Sequence, residues 1–198
     1  MFMSLLENLA RYNIILASHS PRRQELLRGL DIRFEVKIPD VDESYPDDLE
    51  GEEVPIYIAE KKADAFANQL QKNDILITAD TIVLLDGQVF GKPACKEEAQ
   101  MILQQLSDKT HQVITAVCLC TPFRRKVFAA KTDVTFSYLS SEEIDYYLDM
   151  YRPYDKAGSY GVQEWIGYVA VKSINGSFYN VMGLPVHRLY KELDLMMM

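Results

Sequence analysis

The stretch that most constrains this chain is Ile75-Leu76-Ile77-Thr78-Ala79-Asp80-Thr81-Ile82-Val83-Leu84-Leu85, an almost wholly apolar strand followed by Asp86-Gly87. Asp-Gly is the dipeptide of a type I′ turn, so the chain is expected to return as a hairpin through Val89-Phe90. A single carboxylate, Asp80, stands inside the run. Burying it there is costly unless it is paired, protonated or bound to a metal. Either Asp80 lies at a bulge or strand end and bonds to backbone, or it belongs to a functional site. Carboxylates in such surroundings concentrate at sites, so we weigh function first.

A second stretch carries the opposite charge. Ile14-Ile15-Leu16-Ala17 reads as a strand that ends in Ser18-His19-Ser20-Pro21-Arg22-Arg23. Ser20 suits an N-cap and Pro21 the first helical position, where its missing N–H would be unpaired anyway. Leu26, Leu27 and Leu30 supply the apolar stripe, and Gly29 or Asp31 can end the helix. Helix-start N–H groups, two hydroxyls and two guanidinium forks can hold a polyanion such as a phosphate chain. The same residues also fit a capped helix with two solvated arginines.

Along the rest of the chain, residues 3–12 read as a short helix and Phe34-Glu35-Val36 as a strand. The acidic segment from Pro39 to Glu53 reads as a loop that could lend a carboxylate to a metal. Residues 54–70 read as a helix with Lys61 and Lys62 beside its apolar stripe. Gly91-Lys92-Pro93 holds a cation on a short rigid loop, followed by a helix through Ala99, Ile102, Leu103 and Leu106. Residues 112–121 and 126–138 read as an antiparallel pair. Ser140 and Glu143 form a capping box for the next helix. A glycine-bearing loop, Lys156 to Gln163, precedes a strand over Tyr168–Ile174. Asn175-Gly176 reads as a hairpin signal, and Gly183-Leu184-Pro185 leads into a last helix. The irregular mixture of strands and helices predicts one α/β domain, possible in two lobes around a cleft, with a mixed, largely antiparallel sheet.

The charge balance of 29 Asp+Glu against 21 Lys+Arg, a net −8, argues against a nucleic-acid or anionic-membrane binder. The cations that matter must then be local. Cys95, Cys118 and Cys120 make no even framework, so they read as reduced thiols, the latter two as small buried hydrophobes. No basic leader with an apolar core and no apolar run near 18 residues is found, so a cytoplasmic protein is expected. Ser18, Arg22, Arg23, one or both of Lys61 and Lys62, Asp80, Lys92 and Glu43 together point to a polyphosphate and a divalent metal cation, Mg²⁺ or Mn²⁺. Such an ensemble supports phosphoryl chemistry by charge neutralisation, with an Asp able to take a proton from water. There is no P-loop, no G-x-G-x-x-G after a strand and no zinc spacing among His19, His111 and His187.

Six motifs in order carry a resemblance. Leu16 to Arg23, Ala79-Asp80-Thr81-Ile82-Val83, Gly91-Lys92-Pro93, Gln112-Val113-Ile114-Thr115-Ala116-Val117, Asp155 to Gln163 and Gly176 to Pro185 closely resemble those of Maf proteins, over residues 14 to about 185. The resemblance implies one Maf-like domain over residues 1–198, with an elongated sheet flanked by helices and a central cleft, related to inosine triphosphate pyrophosphatases. It also implies nucleoside triphosphate pyrophosphatase activity, with cleavage between the α- and β-phosphates. Asp80 then corresponds to the active-site carboxylate, as proton acceptor or metal ligand, and Glu43 to a second metal ligand. Ser18, Arg23, Lys62 and Lys92 correspond to phosphate-side residues, with Lys62 a better match than Lys61. Pro21-Arg22-Arg23, Asp80-Thr81 and Gly161-Val162-Gln163 all resemble the subfamily preferring dTTP and UTP. Gln163 carries the amide donor and acceptor that a uracil or thymine edge needs. Glu164-Trp165-Ile166-Gly167 departs from the usual short glycine-rich segment, and Trp165 there can stack on a base or cap the core. A homodimer is implied by the resemblance alone. Two other readings remain: a pyrophosphatase for a modified or non-standard purine nucleotide, and a non-catalytic nucleotide-binding regulator of cell division.

Overall fold

The computed structural model describes residues 5–38 and 40–197, so the expectations for residues 3, 4 and Pro39 lie outside the described residues. The elements begin with α1 (Leu5–Leu9), β1 (Asn13–Ala17), α2 (Pro21–Arg28), β2 (Glu35–Lys37), α3 (Glu53–Asp64) and β3 (Asp74–Leu85). They continue with β4 (Gln88–Phe90), α4 (Lys96–Leu106), β5 (Thr110–Cys120), β6 (Arg125–Phe136) and α5 (Ser141–Tyr151). Last come α6 (Trp165–Val169), β7 (Val171–Asn175), α7 (Phe178–Val181) and α8 (Val186–Met197). The strands pair in the order β2-β1-β3-β5-β6-β7, with β4 on β3. Strand β1 is parallel to both β2 and β3, whereas β3–β4 and β6–β7 are antiparallel. Strands β5 and β6 are joined by four residues, too few for a parallel crossover, so this neighbouring pair is antiparallel too. The sheet is mixed, as expected, and helices flank it.

The chain divides into two compact units. The first comprises Met1–Asp80, Thr115–Ala130 and Gly183–Met198; the second comprises Thr81–Ile114 and Lys131–Met182. In the first unit the β1–α2 junction forms as its residues dictate. Pro21 opens the helix, and the Ser20 hydroxyl accepts the Arg23 N–H at 3.4 Å. Helix α3 lays Ala59 and Ala63 against Ile15, Ala17, Leu76 and Ala116. Its regular part ends at Asp64, and a 3₁₀ turn over Ala67–Gln69 replaces the last expected turn. Cys118 and Cys120 are buried free thiols in this core, with sulfurs 3.4 Å apart.

In the second unit Asp86 and Gly87 both take positive φ, 51° and 82°, as the type I′ turn requires. The Ser140–Glu143 capping box forms at α5, which packs on α4. The core gathers Leu103, Leu106, Val134, Phe136, Ile144 and Tyr147. Trp165 packs against this core and meets the Tyr146 ring edge-on at 4.9 Å, so it caps the core. The strand expected over Tyr168–Ile174 begins only at Val171, because Tyr168 and Val169 finish α6. A Cβ on Gly167 would fall 1.8 Å from the Val162 carbonyl oxygen, so only glycine permits this tight helical turn. Asn175-Gly176 is likewise no two-residue hairpin. Ser177 accepts the Asn180 N–H and starts α7 instead.

His111 is buried in the second unit, its Nε2 2.7 Å from the Tyr160 hydroxyl and its ring edge-on to Phe136. Burial pulls its pKa down from 6.5 to about 4. Between those pH values the unfolded chain takes up a proton that the folded chain refuses, so stability falls as the pH drops through that window. The loss should reach about 3 kcal/mol by pH 4. Urea midpoints measured from pH 7 to 4 should show it, and His111→Gln should flatten the slope.

Candidate functional site

Asp80 is seated by register. Thr78 and Asp80 share one side of β3, two residues apart, while Ala59 and Lys62 follow each other along α3. The Thr78 hydroxyl donates to the Ala59 carbonyl at 2.6 Å, and Lys62 Nζ donates to Asp80 Oδ1 at 2.8 Å. The first bond thus fixes helix against strand one step before the second. Lys62 and Asp80 are 5% and 7% exposed. The Asp80 charge lies inside β3 and not at a strand end, and it is balanced by a buried ammonium.

Lys62 also reaches Glu43 Oε1 at 2.8 Å, so the loop between β2 and α3 brings a second carboxylate to the same nitrogen. Lys61 points elsewhere. Its ammonium donates to the Ser44 carbonyl at 2.9 Å and lies 3.7 Å from Asp42, on the exposed side of the helix. The helix separates two adjacent lysines by about 100°, which is why only one of them can enter the site.

Arg23 adds a second cation. Its Nε donates to the Gly183 carbonyl and its Nη1 to the Ala79 carbonyl, each at 2.8 Å, which ties it to the residue before Asp80. Burial lowers its pKa from the ordinary arginine value; Asp80 and Glu43 work against that shift, while Arg22 reinforces it. Arg22 is half-buried on the same helix. Ser18 is buried and its hydroxyl accepts the Ser20 N–H at 3.2 Å. Ser18, Arg22, Arg23, Glu43, Lys62 and Asp80 thus all belong to the first unit, and Lys62 joins the two carboxylates directly.

Two carboxylates on one point are hard oxygen donors of the kind Mg²⁺ or Mn²⁺ takes, with phosphate oxygens and water completing the shell. No group of three or more His, Cys, Asp or Glu side chains converges among the described residues, so there is no all-protein cage of that kind. The donor set therefore fits a cation that arrives with a phosphorylated ligand and shares Asp80 and Glu43 with Lys62.

Thr81, Lys92 and Gln163 belong to the second unit. Thr81 is half-buried in β3, and Lys92 is exposed on the loop after β4. Gln163 is half-buried, yet its Oε1 is buried and finds no hydrogen-bond partner among the described residues. Beside it lies an arrangement that the sequence pattern did not disclose. Lys156 Nζ contacts Asp155 Oδ1 at 2.8 Å and Glu164 Oε1 at 3.1 Å, and the Tyr147 hydroxyl donates to Glu164 Oε2. The only sequence signal for it is a lysine and a glutamate flanking a glycine-bearing loop.

Three comparisons set this chain beside known proteins. A family model described as Maf-like protein matches residues 13–196. A protein of Phocaeicola vulgatus named dTTP/UTP pyrophosphatase is 59% identical over 190 residues, 96% of this chain and 98% of that one. A protein of the same name from Bacteroides thetaiotaomicron is 60% identical over the same shares of the two chains. A solved structure, that of the Staphylococcus aureus Ham1 protein, is 20% identical with a TM-score of 0.44, covering 63% of this chain and 71% of that chain. No helix among the described residues is long and apolar enough to cross a membrane.

Proposed function

The chain belongs to the Maf-like protein family, and from that premise we propose that it is a nucleoside triphosphate pyrophosphatase acting on dTTP and UTP. The products are the nucleoside monophosphate and pyrophosphate. The observation that carries this reading is the buried Lys62 ammonium shared by Asp80 and Glu43. Replacing a buried ion pair such as Lys62–Asp80 by an apolar pair is often neutral or stabilising, so stability alone does not account for it.

Asp80 is the general base in this proposal. Its carboxylate takes a proton from the water that attacks the α-phosphorus, and the β,γ-diphosphate leaves as pyrophosphate. Lys62 orients Asp80 through its 2.8 Å hydrogen bond to Oδ1. Ser18, Arg22, Arg23 and Lys92 meet the phosphate oxygens, whose charge grows toward the leaving group. Asp80 and Glu43 would hold a divalent cation, which when bound neutralises phosphate charge. Thr81 and Gln163 are assigned to the nucleoside, Gln163 reading the base edge with its carboxamide.

The test is pyrophosphate release from a panel of canonical and modified nucleotides with Mg²⁺ or Mn²⁺. The proposal expects dTTP and UTP to give the largest kcat/KM. Release confined to a modified purine would instead assign the pocket to the non-standard nucleotide reading. Binding of nucleotide without any release by folded protein would support a regulator.

A further inference from the structure

A glutamine is a poor reader of pyrimidines unless something holds it still. Uracil and thymine present N3–H as donor beside the O4 acceptor, whereas cytosine presents N3 as acceptor beside the N4 amino donor. A carboxamide free to turn over by 180° can satisfy either edge, because its oxygen and nitrogen exchange places. Discrimination between UTP and CTP therefore needs a residue that fixes the carboxamide.

The second unit contains such a device around Gln163. The Gly161–Glu164 turn is closed by the Glu164 N–H donating to the Gly161 carbonyl at 3.0 Å. The Gly161 N–H donates to the Tyr147 hydroxyl at 2.9 Å, and that hydroxyl donates in turn to Glu164. Tyr147 is fully buried in α5, so the turn is fastened to the core from both of its ends. The other oxygen of Glu164 faces the buried ammonium of Lys156 at 3.1 Å. The Glu164 and Gln163 side chains both flank Gly161. A Cβ there would meet the Glu164 carboxyl carbon at 2.8 Å and the Gln163 carboxamide nitrogen at 3.0 Å. The glycine thus leaves room on one side for both the Glu164 carboxylate and the Gln163 carboxamide, while Gln163 Oε1 is a buried polar atom with no hydrogen-bond partner among the described residues.

We propose that Glu164, braced by Lys156 and Tyr147, is a positioning residue that holds the Gln163 carboxamide in one orientation and so lets this chain prefer uracil and thymine over cytosine. The inference rests on the reading of Gln163 as the base-contacting residue. In this reading Glu164 is assigned no contact with the phosphates or the base. Its effect passes through Gln163, so it is expected in KM and in base choice and not in the chemical step.

The experiment compares Glu164→Gln, Tyr147→Phe, Gln163→Ala and the double variant Glu164→Gln/Gln163→Ala, measuring kcat and KM for UTP and CTP together with Tm. Glu164→Gln should raise the KM for UTP about tenfold and lower the UTP-over-CTP ratio of kcat/KM by a similar factor. Its kcat at saturating UTP should stay within about twofold. Tyr147→Phe keeps the ring and should move the ratio in the same direction. In the Gln163→Ala background, Glu164→Gln should change the ratio no further. The inference is overturned if Glu164→Gln and Tyr147→Phe lower Tm but leave the ratio at the wild-type value while Gln163→Ala abolishes it. An unchanged ratio in Gln163→Ala alone would overturn the reading of Gln163, and this inference with it.

Discussion

Asp80→Asn is expected to remove pyrophosphate release while leaving a folded protein. The amide keeps the shape of the carboxylate and can still accept from Lys62, and Glu43 still pairs with that ammonium. What disappears is the proton acceptor, and with it one of the two carboxylates that would hold the divalent cation. Positioned general bases contribute about 10²–10⁴-fold, so kcat should fall by at least about a hundredfold. Tm should move by only a few degrees, and nucleotide binding should persist, because the cations are untouched. Single-turnover kinetics beside a binding titration separates these effects. A variant that still released pyrophosphate at the wild-type rate would remove Asp80 from the chemistry.

Lys62→Met should act on stability and activity together. Removing one partner of a buried ion pair leaves an uncompensated charge, which destabilises by about 3–5 kcal/mol. Asp80 carries most of that penalty, because it is 7% exposed, whereas the Glu43 side chain is 43% exposed. The double variant Lys62→Met/Asp80→Asn should recover much of the lost stability at pH 7 and none of the activity. Denaturant midpoints for the two variants decide the matter. Equal instability in both would mean that packing, not charge, was lost.

How much of this was legible in the sequence depended on whether a residue's role is local. Asp80 announced itself because an apolar strand gives a carboxylate no neighbours of its own. The Ser20-Pro21 start of α2, the Asp86-Gly87 turn and the Ser140–Glu143 box are each decided within four residues, and all three formed as expected. The choice of Lys62 over Lys61 came only from the resemblance; helix geometry supplies its physical reason, since α3 turns Lys62 toward β3. Glu43 had no periodic signal, because its position depends on how an irregular loop closes onto α3. The contact of Tyr147 with Glu164 joins residues 17 apart through a hydroxyl at the end of a core ring, and the apolar pattern of α5 gave no hint of it. The strand misplaced over Tyr168–Ile174 has a similar cause. Tyr168 and Val169 have strand propensity, and the close approach of Gly167 to the Val162 carbonyl overrides it.

The most direct test of the central claim is the identity of the products. UTP incubated with the purified protein and Mg²⁺ in ¹⁸O-labelled water can be followed by ³¹P NMR. The account predicts UMP and pyrophosphate in equal amounts, with the label on the monophosphate, as attack at the α-phosphorus demands. UDP with orthophosphate, or label in the pyrophosphate, would contradict it.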